Sequence, residues 1–162
     1  LLDYEIAEFR KQLDTNGITC EPRYKFPNRL TYKKIAYGLT RGLYSEEDGD
    51  INGFEYNVIR EVANVENVVF WHRNPERGNG FGINGFINHY PDFIIRLKSG
   101  RIVFLETKGD DRDNSDSRNK LSLGRTWANK AGDNYRYYMV FDKANVDGAL
   151  NVQEFIERLK GL

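Results

Sequence analysis

The stretch Tyr90-Pro91-Asp92-Phe93-Ile94-Ile95-Arg96-Leu97-Lys98-Ser99-Gly100-Arg101-Ile102-Val103-Phe104-Leu105-Glu106-Thr107-Lys108-Gly109 decides the fold. Asp92 to Leu97 and Arg101 to Lys108 read as adjacent strands joined across Lys98-Ser99-Gly100. Both are apolar on both faces, which suits central strands covered by helices on each side. Loop length sets which residues meet. A two-residue loop, Ser99-Gly100, would put Asp92 opposite Thr107 and turn Glu106 to the other face. A three-residue loop uses Gly100 in the left-handed conformation of a type I turn with a G1 bulge, and pairs Asp92 with Glu106. The second register is predicted, because it gathers Asp92, Glu106 and Lys108 on one face and leaves Phe93, Ile95, Val103 and Leu105 as a coherent core on the other.

Outward from this hairpin, Val68 to Arg73 reads as a further strand, and Asn52-Gly53-Phe54-Glu55 opens a helix through about Asn64 with Val58, Ile59 and Val62 on one face. Residues 4 to 13 form a short amphipathic helix ending near Asn16-Gly17. Arg77 to Asn88 is rich in Gly and Asn and is expected to be a mobile loop. On the C-terminal side, the polar stretch Gly109 to Asp116 leads into a helix containing Leu123, Trp127 and Ala128. A strand, Tyr135 to Phe141, follows. Asn151-Val152-Gln153-Glu154 caps a last helix carrying Phe155, Ile156 and Leu159. The order helix, three strands, helix, strand, helix is an α/β sandwich: a central mixed sheet, a three-strand meander plus a further strand, flanked by helices.

A chain of 162 residues, 40% hydrophobic, suffices for one core. It begins at Leu1 with no signal-like segment and reads as a single domain cut from a longer protein. No stretch is apolar enough to span a membrane. The single cysteine, Cys20, has no partner for an internal disulfide, which fits a reducing cytoplasm. With 24 basic and 24 acidic residues, the net charge of zero gives no whole-domain attraction for nucleic acid. Any such affinity is local. Arg118, Lys120, Arg125 and Lys130 form one basic run, whose plainest reading is a solvated helix face.

Two directly opposed carboxylates have Cβ atoms roughly 5 Å apart and repel unless something neutralises them. A divalent cation does so, and hard oxygen ligands point to Mg²⁺ or Mn²⁺ rather than zinc. Lys108, two residues on from Glu106, is placed to orient an attacking water or to stabilise the added negative charge of a phosphorane-like transition state. Together these roles describe hydrolysis of a phosphodiester.

Tyr90-Pro91-Asp92-Phe93 followed by Glu106-Thr107-Lys108-Gly109 resembles the PD-(D/E)xK nuclease motif. Leu43-Tyr44-Ser45-Glu46-Glu47, Phe70-Trp71-His72-Arg73-Asn74-Pro75, and Arg118-Asn119-Lys120-Leu121 with Trp127 bring the resemblance closer to the C-terminal endonuclease domain of the restriction subunit of type III restriction enzymes. It covers about residues 40 to 142. The resemblance implies a restriction-endonuclease-like sandwich and a metal-dependent endonuclease that cuts double-stranded DNA with Mg²⁺ or Mn²⁺. Asp92 and Glu106 would be metal ligands, and Glu55, Asp92, Glu106, Lys108 and Lys120 the catalytic candidates. It further implies a motor (ATPase) domain in the same parent chain, a separate modification and recognition subunit, and a bacterial cytoplasm. No G-x-x-x-x-G-K-[S/T] phosphate loop occurs in this chain, so the motor would lie outside it. Residues 1–40 would be the linker-side start of the domain and 41–162 the endonuclease domain proper.

Several of these residues have a second reading. Glu55 resembles the helix acid of such sites, yet it also stands three residues after Asn52 as the partner in a capping box. Lys120 either closes the site from its helix or snorkels along the helix surface. His72 and His89 flank the Gly-rich segment, and packing or substrate contact explains them better than histidine-based catalysis. Gly80-Phe81-Gly82-Ile83-Asn84-Gly85 matches G-x-G-x-x-G, but extended chain rather than a helix is expected after it, against dinucleotide binding. The Asp110-Asp111-Arg112-Asp113 run lacks the glycine and glutamate of a calcium loop and reads as a solvated rim. The functional alternative to a nuclease is a nuclease-like domain that binds DNA or assembles with partners without catalysis.

Overall fold

The computed structural model describes residues 1–18, 20, 24–109, 115–143 and 146–162. In chain order their elements are α1 (Leu2–Asp14), α2 (Gly53–Ala63), β1 (Val68–Arg73), β2 (Ile83–Asn84), β3 (Asn88–His89), β4 (Phe93–Leu97), β5 (Ile102–Lys108), α3 (Ser115–Ala131), β6 (Tyr135–Phe141), β7 (Leu150–Asn151) and α4 (Val152–Lys160). The fold is α/β, built on a mixed sheet of order β1-β4-β5-β6-β7. β1, β4 and β5 form the antiparallel meander, β6 joins β5 in parallel after α3, and the two-residue β7 extends the far edge.

The central hairpin follows the three-residue loop. Phe93 pairs with Leu105 and Ile95 with Val103. The Gly100 N–H bonds to the Leu97 carbonyl with Gly100 at φ 89°, a left-handed conformation that costs a side-chain-bearing residue about 1–2 kcal/mol. Because side chains alternate, this register sends Phe93, Ile95, Leu97, Val103 and Leu105 to one face. There they meet Val58, Ile59 and Val62 of α2 and Phe155 and Leu159 of α4. Ile94 and Phe104 go to the other face, with Tyr137, Met139 and Phe141 of β6, under Leu121 and Leu123 of α3. Helices α2 and α4 each begin with a reciprocal capping box, Asn52 with Glu55 and Asn151 with Glu154, which satisfies two otherwise orphaned N–H groups at each start.

The Gly- and Asn-rich segment differs from expectation. It carries the β2–β3 ladder, and Phe81 and Ile83 are buried in the α3-side core. The Asn74 side chain ties its base: Nδ2 donates to the carbonyls of Phe81 and Pro91, and Oδ1 accepts from the Phe81 N–H. A long-range clamp thus orders what composition alone reads as loop. The G-x-G-x-x-G match runs into this ladder and opens no helix.

Residues preceding α2 pack onto the same body. The backbone of Arg41 and Leu43 bonds to Trp71 on the outer edge of β1, covering an edge that would otherwise be unpaired. Phe26 stacks edge-on against Phe70 and His72, and Phe9 of α1 against Phe86. Among the described residues no helix is long and apolar enough to cross a membrane. The Asp110 to Asp113 run lies outside the described residues.

Candidate active site

The paired register ends at Phe93 and Leu105; Asp92, just before β4, and Glu106 on β5 line one cleft together with Lys120 of α3. The bonds confirm the approach of the two strands there: Asp92 Oδ2 accepts from the Thr107 N–H at 2.7 Å and from the Thr107 hydroxyl at 2.8 Å. On β5, Lys108 lies two residues beyond Glu106, and its Nζ is 3.3 Å from Glu106 Oε1. From α3, Lys120 Nζ comes within 3.7 Å of the same oxygen and 3.1 Å of Asp116 Oδ2, one helical turn earlier. Lys120 therefore turns inward to the acid pair. The basic run splits accordingly, since Lys130 at the other end of α3 bonds to the Leu13 carbonyl and ties α1 down.

Glu55 approaches from the opposite layer. Its Oε2 accepts from the Asn52 N–H as the capping box requires, and its Oε1 lies 3.7 Å from Arg73. Arg73, at the end of β1, also reaches Asp92 Oδ1 at 3.2 Å and lies over the Phe93 ring. Glu55 is thus linked to Asp92 through one guanidinium, while its carboxylate holds its own helix start. Burial raises the Glu55 pKa, against the pull of Arg73 and the Asn52 N–H.

Electrostatics mark Glu106. It is 4% exposed. Burial first, and Asp92 second, push its carboxyl up to about 8 against the opposing pull of Lys108 and Lys120. Lys120 shows the reverse balance: burial works against its charge, but Glu106 and Asp116 outweigh burial and raise its pKa. Glu106 Oε2 is buried with no hydrogen-bond partner. An orphaned oxygen on a buried acid is expensive while the acid is charged, unless a cation meets it.

Asp92, Glu106 and Lys120 open into a cleft of about 590 Å³ lined also by Glu76, Arg77, Asn88, His89 and Tyr90. A depression of about 620 Å³ between α2 and α4, lined by Glu61, Asn64, Lys98 and Lys160 among others, lacks any such acid pair, so the first cleft is the candidate site. A cation fits the donor set there. Asp92 Oδ2 is saturated by two donors, Asp92 Oδ1 keeps a lone pair beside Arg73, and Glu106 Oε2 is open. No group of three or more His, Cys, Asp or Glu side chains able to hold a metal occurs among the described residues. Two carboxylates still suit Mg²⁺, which keeps several waters and takes few protein ligands.

All five candidate residues lie at this end of the sheet, with Asp92, Glu106, Lys108 and Lys120 around one acid pair and Glu55 linked through Arg73. Arg73, Thr107, Asp116 and His89 were not among them. Asp116 has a sequence signal, its i,i+4 spacing to Lys120. Arg73 has none, because the offset between β1 and β4 is a tertiary fact. His89 is buried, and its Nε2 lies 2.6 Å from the Tyr137 hydroxyl. Burial, then Lys120 and Lys108, lower its pKa to about 3, with Asp116 opposing. His72, by contrast, is paired with buried Glu47 on the far side of β1, and takes no part in the cleft. Comparison of the chain with family models, curated proteins and solved structures finds no match.

Proposed function

We propose that this chain is a Mg²⁺-dependent endodeoxyribonuclease domain with a restriction-endonuclease-like sandwich fold, hydrolysing phosphodiester bonds of double-stranded DNA. The observation that carries this reading is Glu106: a buried acid sharing a cleft with Asp92, flanked by two lysines, with one oxygen unpartnered. Bound Mg²⁺ or Mn²⁺ supplies charge neutralisation and Lewis acidity to the scissile phosphate. Asp92 Oδ1 and Glu106 Oε2 would hold it. Thr107 and Arg73 keep the Asp92 carboxylate in place. Lys108 presents an ammonium to the charge that develops on the phosphoryl oxygens, and Lys120 adds a second from α3. Glu55 supports the site by holding Arg73. The wider setting belongs to the same proposal: cleavage domain of a type III restriction or helicase-like restriction subunit, residues 1–40 as its linker-side segment, partnered by a motor domain and a modification subunit in a bacterial cytoplasm.

The test is plasmid cleavage in Mg²⁺ or Mn²⁺, by the chain alone and within a longer parent protein. Wild type should convert supercoiled DNA to nicked or linear forms, and Asp92→Asn should not. Plasmid left intact in both settings would sink the assignment.

One observation favours the alternative of a nuclease-like domain without catalysis. Arg73 already offers Asp92 a positive charge at 3.2 Å, so the acid is not bare without metal. In that reading Arg73 replaces the cation, and neither Mg²⁺ nor Mn²⁺ binds at millimolar concentration.

A further inference from the structure

His89 and Tyr137 are a buried polar pair that the proposed chemistry leaves unused. His89 sits on β3 and lines the cleft together with Asp92, Glu106 and Lys120. Tyr137 sits on β6 at the back of the α3-side core, 5% exposed, and its ring meets the imidazole edge-on. The seat is shaped for that ring. Gly124 of α3 lies flat against it, and a Cβ there would come within 2.5 Å of ring carbons. The contact between the two side chains is short, 2.6 Å from Nε2 to the hydroxyl.

Proton accounting decides the direction of that bond. The buried Tyr137 hydroxyl has one polar partner among the described residues, His89 Nε2. Its proton is retained, because burial, with Glu106, Asp92 and Asp116 nearby, raises its pKa well above the usual range. If Nε2–H donated to the tyrosine oxygen, the hydroxyl proton would be buried without an acceptor, which costs about 1–3 kcal/mol. If O–H donates to Nε2, both atoms of the contact are satisfied, and the donor left over is the Nδ1–H of His89, which lines the cleft. The second arrangement fixes the imidazole as the Nδ1–H tautomer. The remaining polar atom of His89 is then a donor with no free lone pair. It cannot take a proton from water; it can only offer a hydrogen bond to an electron-rich oxygen.

We propose that His89, held in this tautomer by Tyr137, is a catalytic residue that donates an Nδ1–H hydrogen bond to a non-bridging oxygen of the phosphodiester in the cleft, with Tyr137 as its positioning residue. The proposal rests on the nuclease reading. No proton is transferred. The neutral donor complements the two ammonium groups, because it adds a directed bond to the phosphoryl group without adding charge beside Lys108 and Lys120. A hydrogen bond that tightens as charge develops on that oxygen lowers the barrier more than it aids binding.

Two measurements test it. Long-range ¹⁵N–¹H spectra of the metal-free chain read the tautomer with no DNA present. Wild type should show protonated Nδ1 and bare Nε2 for His89, and Tyr137→Phe, which keeps the ring and removes the hydroxyl, should move the population toward Nε2–H. Nε2–H in wild type overturns the proposal. Plasmid cleavage in Mg²⁺ then reads the donor. His89→Leu should lower kcat by about 10²-fold with KM changed little, the scale of losing one such donor. His89→Asn, whose amide N–H stands near the Nδ1 position, should recover part of the loss. An active wild type with an equally active His89→Leu overturns the donation alone. A wild type that cleaves no DNA overturns both the donation and the nuclease reading, and the tautomer remains decided by the spectra.

Discussion

Asp92 and Glu106 line one cleft, yet they are held in different ways and should respond differently to loss of charge. Asp92 accepts two bonds from Thr107 and an ion pair from Arg73. Asp92→Asn weakens charge-assisted bonds and leaves Arg73 facing a neutral amide, so it should destabilise the metal-free chain by about 1–3 kcal/mol. Glu106→Gln resembles the protonated acid that burial already favours, and it should leave stability unchanged or higher. The pH dependence has a definite sign. With the Glu106 carboxyl raised from 4.5 to about 8, the folded chain keeps a proton that the unfolded chain has released between those values. His89, lowered from 6.5 to about 3, contributes a rise of opposite sign up to about pH 6.5, so stability in chelator should decline chiefly from about 6.5 to about 8 and flatten above it, and Glu106→Gln should remove that decline. Calorimetry across that range checks both; a slope unchanged in Glu106→Gln would assign it elsewhere. Lys108 lies on the other side of this balance. Lys108→Ala should cut cleavage by roughly 10²-fold or more while the chain stays folded, and an active Lys108→Ala would refute its role.

At the scale of elements, the hairpin and the strands on either side of it, Val68–Arg73 and Tyr135–Phe141, were legible, and the side-chain contacts made between elements were not. Loop length and strand alternation fixed how β4 meets β5, because period 2 leaves only two registers and one of them scatters the core. The helix starts at Asn52 and Asn151 were legible for a similar reason: capping chemistry is local. Arg73 was not, since its reach to Asp92 depends on how β1 is offset against β4. The pair His89 and Tyr137 is separated by 48 residues and meets only through the fold. The Gly- and Asn-rich segment was misread because composition describes its backbone freedom, whereas Asn74 and the burial of Phe81 and Ile83 restrain it from outside. Of the two readings of Glu55, the capping box is seen at one oxygen, and the other oxygen meets Arg73. A variant separates them. Glu55→Gln keeps an acceptor for the Asn52 N–H, so the helix start should survive, and cleavage should stay within severalfold of wild type if Glu55 acts only through Arg73. A loss of two orders of magnitude with unchanged melting would instead make Glu55 a member of the reacting set.

For the whole molecule, a net charge of zero means that DNA and metal must be drawn by local fields rather than by the domain. The acid pair is one such field, and its effect on global stability separates the two functional readings. A cation that binds the folded chain and not the unfolded one stabilises it by mass action: at tenfold excess over Kd the gain is about 1.4 kcal/mol. For a domain of this size that is a rise of roughly 3–6 °C in Tm. The rise should grow with pH toward 8, because the cation must displace the proton that Glu106 holds. It should vanish in Glu106→Gln and Asp92→Asn. Arg73 competes for Asp92 Oδ1, so Arg73→Gln should weaken the fold in chelator yet leave a metal-dependent rise. Melting curves with and without millimolar Mg²⁺ or Mn²⁺, at two pH values, resolve these outcomes. If wild type shows no rise at either pH, Arg73 is the resident cation of the acid pair, and the chain is a nuclease-like binding domain rather than a nuclease.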